Sequence, residues 1–196
     1  YIPTWNSLFR RINPTRILEI GSFEGRSSVY IIETICEEKP IELYCIDIWE
    51  GSGSEHNDYD MSIVESNFDS NVGIARNSAK HECKLKKIKS QSFPALLSLI
   101  NKNEQFDFIY VDACHKACSV LRDAVLSYEL LADGGVMVFD DYLWNDFDDL
   151  ALSPKIGLDA FTSCYRKEIS YIGEAPISQL WICKGTNAYK KYCDLT

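Results

Sequence analysis

From Arg16 to Asp140 the chain alternates short apolar runs with stretches of helical spacing. The runs predict strands near 16–20, 42–47, 85–89, 106–111 and 135–140, and the stretches between them predict helices near 25–37, 61–80, 93–101 and 115–131. Nearly continuous apolar strands separated by helices point to a parallel sheet covered on both faces. Ser27 and Ser28 open the first of these helices and Pro40 follows its end. Ala132-Asp-Gly-Gly135 reads as a helix-to-strand turn, since glycine takes positive φ at no steric cost. Beyond Asp141 a polar and aromatic stretch, 142–153, reads as loop. A helix near 155–166 follows, then strands near 168–172 and 178–184 on either side of the turn Gly173-Glu-Ala-Pro176. The expected sheet therefore has five parallel strands and a terminal antiparallel pair.

Bulk properties narrow the function classes. A length of 196 residues with 46% hydrophobic and 12% aromatic residues predicts one globular domain spanning 1–196. A formal charge of −9 argues against a nucleic-acid partner, because such binding rests on cationic contacts to phosphates. The one basic cluster, Lys84 to Lys89, is short and reads as a solvated strand edge. No apolar run approaches the ~20 residues of a membrane span, so no membrane partner is expected. The first residues, Tyr1-Ile-Pro-Thr-Trp5, lack the basic and apolar blocks of a signal peptide; without an initiator Met, residues upstream of Tyr1 are left open. Eight scattered cysteines with no C-x-x-C predict reduced thiols and a cytoplasmic location. Cys114, His115 and Cys118 lack a fourth ligand at zinc spacing and are set aside as a zinc site.

The strongest local signal is Arg16-Ile-Leu-Glu-Ile-Gly-Ser-Phe-Glu-Gly-Arg-Ser-Ser28, a strand, a glycine turn and a helix start. That geometry places a nucleotide-like ligand at the carboxyl edge of a parallel sheet. A dinucleotide fingerprint needs a central glycine for close approach to a pyrophosphate, and here Phe23 stands there with Glu24 beside it. A ring and an anion suit a nucleoside without phosphates, or a cationic one. Asp47 ends the second apolar run, where a carboxylate accepts hydrogen bonds from ribose hydroxyls or caps the following turn; Trp49 stands near enough to flank the sugar or adenine face. Ser90-Gln91-Ser92 follows the third strand, where small polar side chains reach an adenine edge, and Ser92 equally suits the cap of the helix starting at Phe93. The polar insertion 51–60, with His56, reads as either a lid or a solvated connector.

Carboxylates end the next two strands: Asp112 on the fourth, Asp140 and Asp141 on the fifth. On adjacent strands they would converge beside the glycine turn and repel unless a cation lay between them. An all-oxygen set suits a hard divalent ion such as Mg²⁺; the alternative is that Asp112 caps a helix and the Asp pair shapes a turn. His115 falls three residues past Asp112, at the expected start of a helix whose positive end keeps imidazole neutral and able to accept a proton.

Together these residues resemble class I S-adenosylmethionine (SAM) dependent methyltransferases, in the small bacterial branch related to catechol and macrolide-sugar O-methyltransferases. The similarity covers about residues 14 to 185. It implies an α/β Rossmann-like methyltransferase fold: a mostly parallel seven-stranded sheet, helices on both faces, and an antiparallel C-terminal strand. It implies that Glu19, Gly21, Ser22 and Gly25 hold the methionine moiety of SAM and that Asp47 binds its ribose. In the metal-dependent members a D-x27-D-[N/D] pattern carries the ion; Asp112, Asp140 and Asp141 stand at that interval. The family's base position falls on His115, where catechol enzymes carry Lys and sugar enzymes His. The segment Ser178-Gln-Leu-Trp-Ile-Cys-Lys184 resembles the last strand.

The expected activity is SAM-dependent, metal-assisted O-methylation of a sugar-like or phenolic small molecule. Trp49, Ser90, Gln91, Ser92 and Asp112 complete the expected cofactor pocket, with His115 as catalytic base and Mg²⁺ or another hard divalent ion as second cofactor. The competing readings are a SAM-binding regulatory module without turnover and a metal-independent N-methyltransferase. The partner is a small-molecule acceptor, and homo-oligomerisation is compatible with the pattern.

Overall fold

The structure, a computed structural model, describes residues 2–51, 60–144 and 149–185. The apolar runs form seven strands: β1 (Arg16–Ile20), β2 (Ile41–Asp47), β3 (Cys83–Lys89), β4 (Phe106–Val111), β5 (Leu131–Phe139), β6 (Ile169–Tyr171) and β7 (Leu180–Lys184). The helices are α1 (Ile2–Ile12), α2 (Arg26–Ile35), α3 (Met61–Ser78), α4 (Ser92–Asn101), α5 (Ala117–Leu130) and α6 (Pro154–Cys164). One sheet takes the order β3-β2-β1-β4-β5-β7-β6, with the first five strands parallel and β7 antiparallel to both its neighbours. This is the mostly parallel, seven-stranded Rossmann-like sheet that the resemblance implies.

Successive strand residues face opposite sides, so each strand feeds two cores. Ile17, Leu43, Phe108, Tyr110 and Val138 pack beneath α1, α2 and α3, with Trp5, Leu8, Phe9, Ile31 and Phe68. Leu18, Ile20, Ile46, Ile109 and Phe139 pack beneath α4, α5 and α6, with Leu96, Val120, Leu158 and Phe161. The order of strands reverses at β1, whose flanks are β2 and β4. There the crossovers part and leave a crevice beyond the strand ends, the place where open α/β sheets bind ligands.

Three local features depart from the sequence expectation. Helix α1 is additional; its Trp5, Leu8 and Phe9 are buried against the sheet. The glycine turn 132–135 is not a clean break: β5 begins at Leu131, and the register slips between the pairs Phe106–Leu131 and Phe108–Val136, with Gly134 at φ +75°. Strand β7 starts at Leu180, leaving Ser178 and Gln179 ahead of it.

The basic cluster is the β3 edge, as expected. Lys87 pairs with Glu65 and Asp69, and Lys89 with Glu65 and Glu50. The described cysteines are all free thiols. No helix among the described residues is long and apolar enough to cross a membrane.

Candidate active site

A cavity of about 480 Å³ opens over the crevice, lined by the β1–α2 turn, the ends of β2 and β4, and the start of α4. Its volume suits a nucleoside-sized ligand. Of the residues expected to hold a cofactor, Gly21, Ser22, Asp47, Ser90, Gln91, Ser92 and Asp112 line it.

Sterics explain the first glycine. Gly21 has φ +86°, and a Cβ there would lie 1.8 Å from the Asp112 carbonyl oxygen. The β1 turn therefore runs directly against the end of β4, held by the amide of Asp112 donating to the Ile20 carbonyl at 2.8 Å. Gly25, at φ +84°, caps α2; a Cβ there would meet Val72 at 2.9 Å, so this glycine lets α2 and α3 close together rather than lining the cavity.

Glu19 lies beneath the turn, fully buried. Its Oε2 accepts from the Ser22 hydroxyl at 2.7 Å, from the Ser28 hydroxyl and from the Cys45 thiol, while Oε1 has no hydrogen-bond partner among the described residues. Burial pushes the Glu19 pKa up, opposed by the serine hydroxyls. Glu19 is not among the residues that line the cavity; it holds the turn from beneath.

Asp47 plays the capping part that sequence left open. Its Oδ2 accepts from the amides of Ser22 and Phe23, both at 2.8 Å, and Oδ1 from the amide of Trp49 at 2.7 Å. The carboxylate thus pins the glycine turn to β2 while still lining the cavity. Trp49 corrects the expectation: it is 2% exposed, packs against Phe68, and donates its indole N–H to the Phe23 carbonyl. Its φ of +52° turns the ring inward, and Ile48 lines the cavity instead. Ser92 is also corrected. It is the first residue of α4, and its hydroxyl donates to the buried Asp123 at 2.8 Å rather than capping the helix. His56 and positions 52–59 lie outside the described residues.

The strand-end carboxylates do come together. Asp112, Asp141 and His115 form a group in which one ligand atom from each lies within 4.8 Å of the others; His115 Nε2 is 3.0 Å from Asp141 Oδ2 and 3.9 Å from Asp112 Oδ1. Asp140 stands beside this group rather than in it. The Tyr110 hydroxyl lies 2.6 Å from Asp140 Oδ2 and 3.1 Å from Asp112 Oδ2, and Gln179 donates to Asp140 at 3.0 Å. Burial raises the Asp112 pKa; His115 opposes that, and the neighbouring charges of Asp140 and Asp141 add to it. Among the described residues none of the three aspartates pairs with lysine or arginine. The donor set therefore fits a divalent cation, which would relieve the mutual repulsion. His115 precedes α5 instead of opening it, since the helix starts at Ala117. Trp144 stacks on its imidazole, with ring centroids 4.6 Å apart and planes at 31°.

Sequence reasoning missed Arg26 and Arg122 in the cavity wall, and Gln179 and Tyr110 behind the aspartates. The arginines carry no signal, since either would read as a solvated helix position. Tyr110 and Gln179 become polar partners only when β4, β5 and β7 are side by side.

A family model described as a methyltransferase domain matches residues 18–142. No curated protein matches the chain. Among solved structures, the chain is similar to the O-methyltransferase from Bacillus cereus in complex with S-adenosylhomocysteine (SAH). Identity there is 18% and the TM-score 0.61, over 93% of this chain and 80% of that one. It is also similar to the O-methyltransferase TomG from Streptomyces achromogenes, involved in tomaymycin synthesis and solved with SAM. The figures are 17% identity and a TM-score of 0.58, over 93% of this chain and 78% of that one.

Proposed function

From a chain that belongs to the methyltransferase-domain family, and is thereby a class I SAM-dependent methyltransferase, we infer a divalent-metal-assisted O-methyltransferase acting on a hydroxyl of a small molecule. The observation that carries this is the convergence of Asp112, Asp141 and His115 at the ends of β4 and β5, with Asp140 alongside and Asp112 also lining the cavity. An N-methyltransferase has no use for such a cluster, because an amine nucleophile needs no carboxylate-held cation to lower its pKa.

SAM supplies the methyl group on a sulfonium centre. Glu19 steadies the glycine turn from beneath through Ser22 and Ser28 and sets negative charge under the place for its ammonium end, and Asp47 lines the cavity against the turn, where it would meet the ribose. Ser90 and Gln91 border the far end of the cavity, where an adenine would lie. Asp112 and Asp141, with Asp140 alongside, would hold a divalent ion such as Mg²⁺, which would supply Lewis-acid polarisation of the acceptor hydroxyl. His115 takes the acceptor proton, with its ring held in place by the Trp144 stack and by Asp141. Alignment of oxygen, methyl and sulfur for in-line displacement by such fixed groups lowers a barrier by roughly 7–11 kcal/mol. The sugar-like or phenolic character of the acceptor and the cytoplasmic setting belong to the same proposal.

The test is calorimetry with SAH, followed by turnover with SAM, Mg²⁺ and a panel of sugars and phenols, reading SAH release. SAH should bind the wild-type chain, and Asp47→Asn should bind it about tenfold more weakly through the loss of one charged acceptor. Tight binding of NADH with no binding of SAH would overturn the cofactor assignment.

A further inference from the structure

We propose that Gln179 is a positioning residue for Asp140, and that through it helix α1 holds the acceptor end of the site in register. The inference rests on the metal-assisted reading above and goes beyond it to a residue that touches neither cofactor nor acceptor.

Gln179 lies just ahead of β7 and is 5% exposed. Its Oε1 accepts two indole N–H groups, from Trp5 at 3.0 Å and from Trp181 at 2.8 Å. An indole nitrogen only donates, so the amide atom that faces two of them is the oxygen. Flipping the amide would set an NH₂ against two donors in a buried place. Its Nε2 is thereby the atom that faces Asp140, and one of its two hydrogens goes to Oδ2 at 3.0 Å. The same Oδ2 takes the Tyr110 hydroxyl at 2.6 Å, and Oδ1 takes the amide of Asp141 at 2.9 Å.

The count of lone pairs then decides what Asp140 presents. Oδ2 has both of its lone pairs used, while Oδ1 keeps one free. A carboxylate on a rotatable bond beside two others would turn toward water to relieve repulsion. Here three donors, two of them from distant parts of the chain, oppose that turn. Helix α1 controls two of them at once: Trp5 donates to Gln179, and its ring edge packs on Tyr110 with centroids 4.9 Å apart at 81°. Partners of this kind behind a metal-binding carboxylate fix its orientation, and their loss typically weakens metal binding.

The test uses Mn²⁺ as the probe, titrated calorimetrically into the full chain saturated with SAH. Gln179→Met keeps the volume and a weak acceptor for the indoles but has nothing to donate to Asp140. It should weaken Mn²⁺ binding by roughly 10–100-fold while leaving SAH affinity within about threefold. In an Asp140→Asn background the same change should alter Mn²⁺ affinity by less than about twofold, since a residue acting through Asp140 has nothing left to orient. Should Gln179→Met fail to fold, Trp5→Phe removes one indole donor with little change of shape, and should weaken Mn²⁺ in the same direction. Wild-type Mn²⁺ affinity in Gln179→Met, with only a lower melting temperature, would make Gln179 a packing residue and overturn the proposal. An equal loss in the Asp140→Asn background would overturn it too. A wild-type chain that binds SAH but no Mn²⁺ overturns the metal reading and this inference with it, whereas a chain that binds neither overturns the cofactor assignment itself.

Discussion

The β1–β2 side of the site and the β4–β5 side are built from different materials. On the first, backbone groups carry the load: three amides converge on Asp47, and the glycine turn lies against the β4 backbone with no room for a side chain. On the second, side chains do it: Asp112, His115, Asp140 and Asp141 crowd together, steadied by Tyr110, Gln179 and Trp144. Backbone geometry is insensitive to most substitutions, so the first side suits a ligand common to many enzymes. Side-chain clusters can be exchanged one residue at a time, which suits an end that must match a particular acceptor.

Breaking the acceptor side alone gives the largest effect. His115→Gln should lower kcat by roughly 10²–10⁴-fold, the usual worth of a positioned proton acceptor, with SAH affinity nearly unchanged. The measurement is steady-state turnover on an acceptor found in the panel, set beside SAH calorimetry; full activity in the variant would assign the histidine a structural role.

A blow to the backbone side should fail in another way, because fold and binding are not separable there. Gly21→Ala puts a methyl 1.8 Å from a carbonyl oxygen at a residue with φ +86°. It should cost about 4 kcal/mol or more in stability and abolish SAH binding together with it. Urea unfolding and calorimetry on the same sample check this; a stable variant that still binds SAH would mean that the turn is more yielding than the geometry says.

The third test concerns an exception on the cofactor side, the charged group buried under α4. Asp123 is 1% exposed, and burial lifts its pKa to about 6, opposed by the Ser92 hydroxyl and by Arg122. A carboxyl whose folded pKa is raised holds its proton more tightly in the fold than in the unfolded chain. Its contribution therefore becomes unfavourable as pH rises from about 4 to about 6, and by pH 7 it costs about 3 kcal/mol. Asp123→Asn keeps an acceptor for Ser92 without the charge. It should raise stability at pH 7 by up to about 3 kcal/mol and change little at pH 4, as read by urea unfolding at both values. Equal effects at the two pH values would show that the carboxyl does not titrate in this range.

The backbone side was legible in the sequence because its signals are local. Two glycines four residues apart on either side of Ser22 and an acid at a strand end carry their meaning within a few positions. The same holds for the succession of strands and helices along the chain, which follows from alternation of apolar runs. Trp49 escaped because a positive φ at one residue redirects the ring, and no neighbour in sequence announces it. Helix α1 shows the period of a buried helix in Trp5, Leu8 and Phe9, a signal present in the chain but isolated from the repeating pattern. Gln179 and Tyr110 were out of reach for a different reason. Each is an ordinary residue until β7 and β4 flank β5, and their roles exist only in the pairing.

The lysine-lined edge of β3 bears on how copies of this chain meet. A bare strand edge offers a row of unpaired amides and carbonyls to any extended segment, the usual first step toward fibrils and swapped dimers. Here one rim of the sheet carries Lys84, Lys86, Lys87 and Lys89 within a seven-residue strand, and the other is a strand of only three residues. A second copy that docked along β3 would have to desolvate this lysine row and disturb the pairs of Lys87 and Lys89 with Glu65, Asp69 and Glu50, and along β6 it would meet few backbone groups. Both described edges of the sheet thus disfavour growth by strand addition.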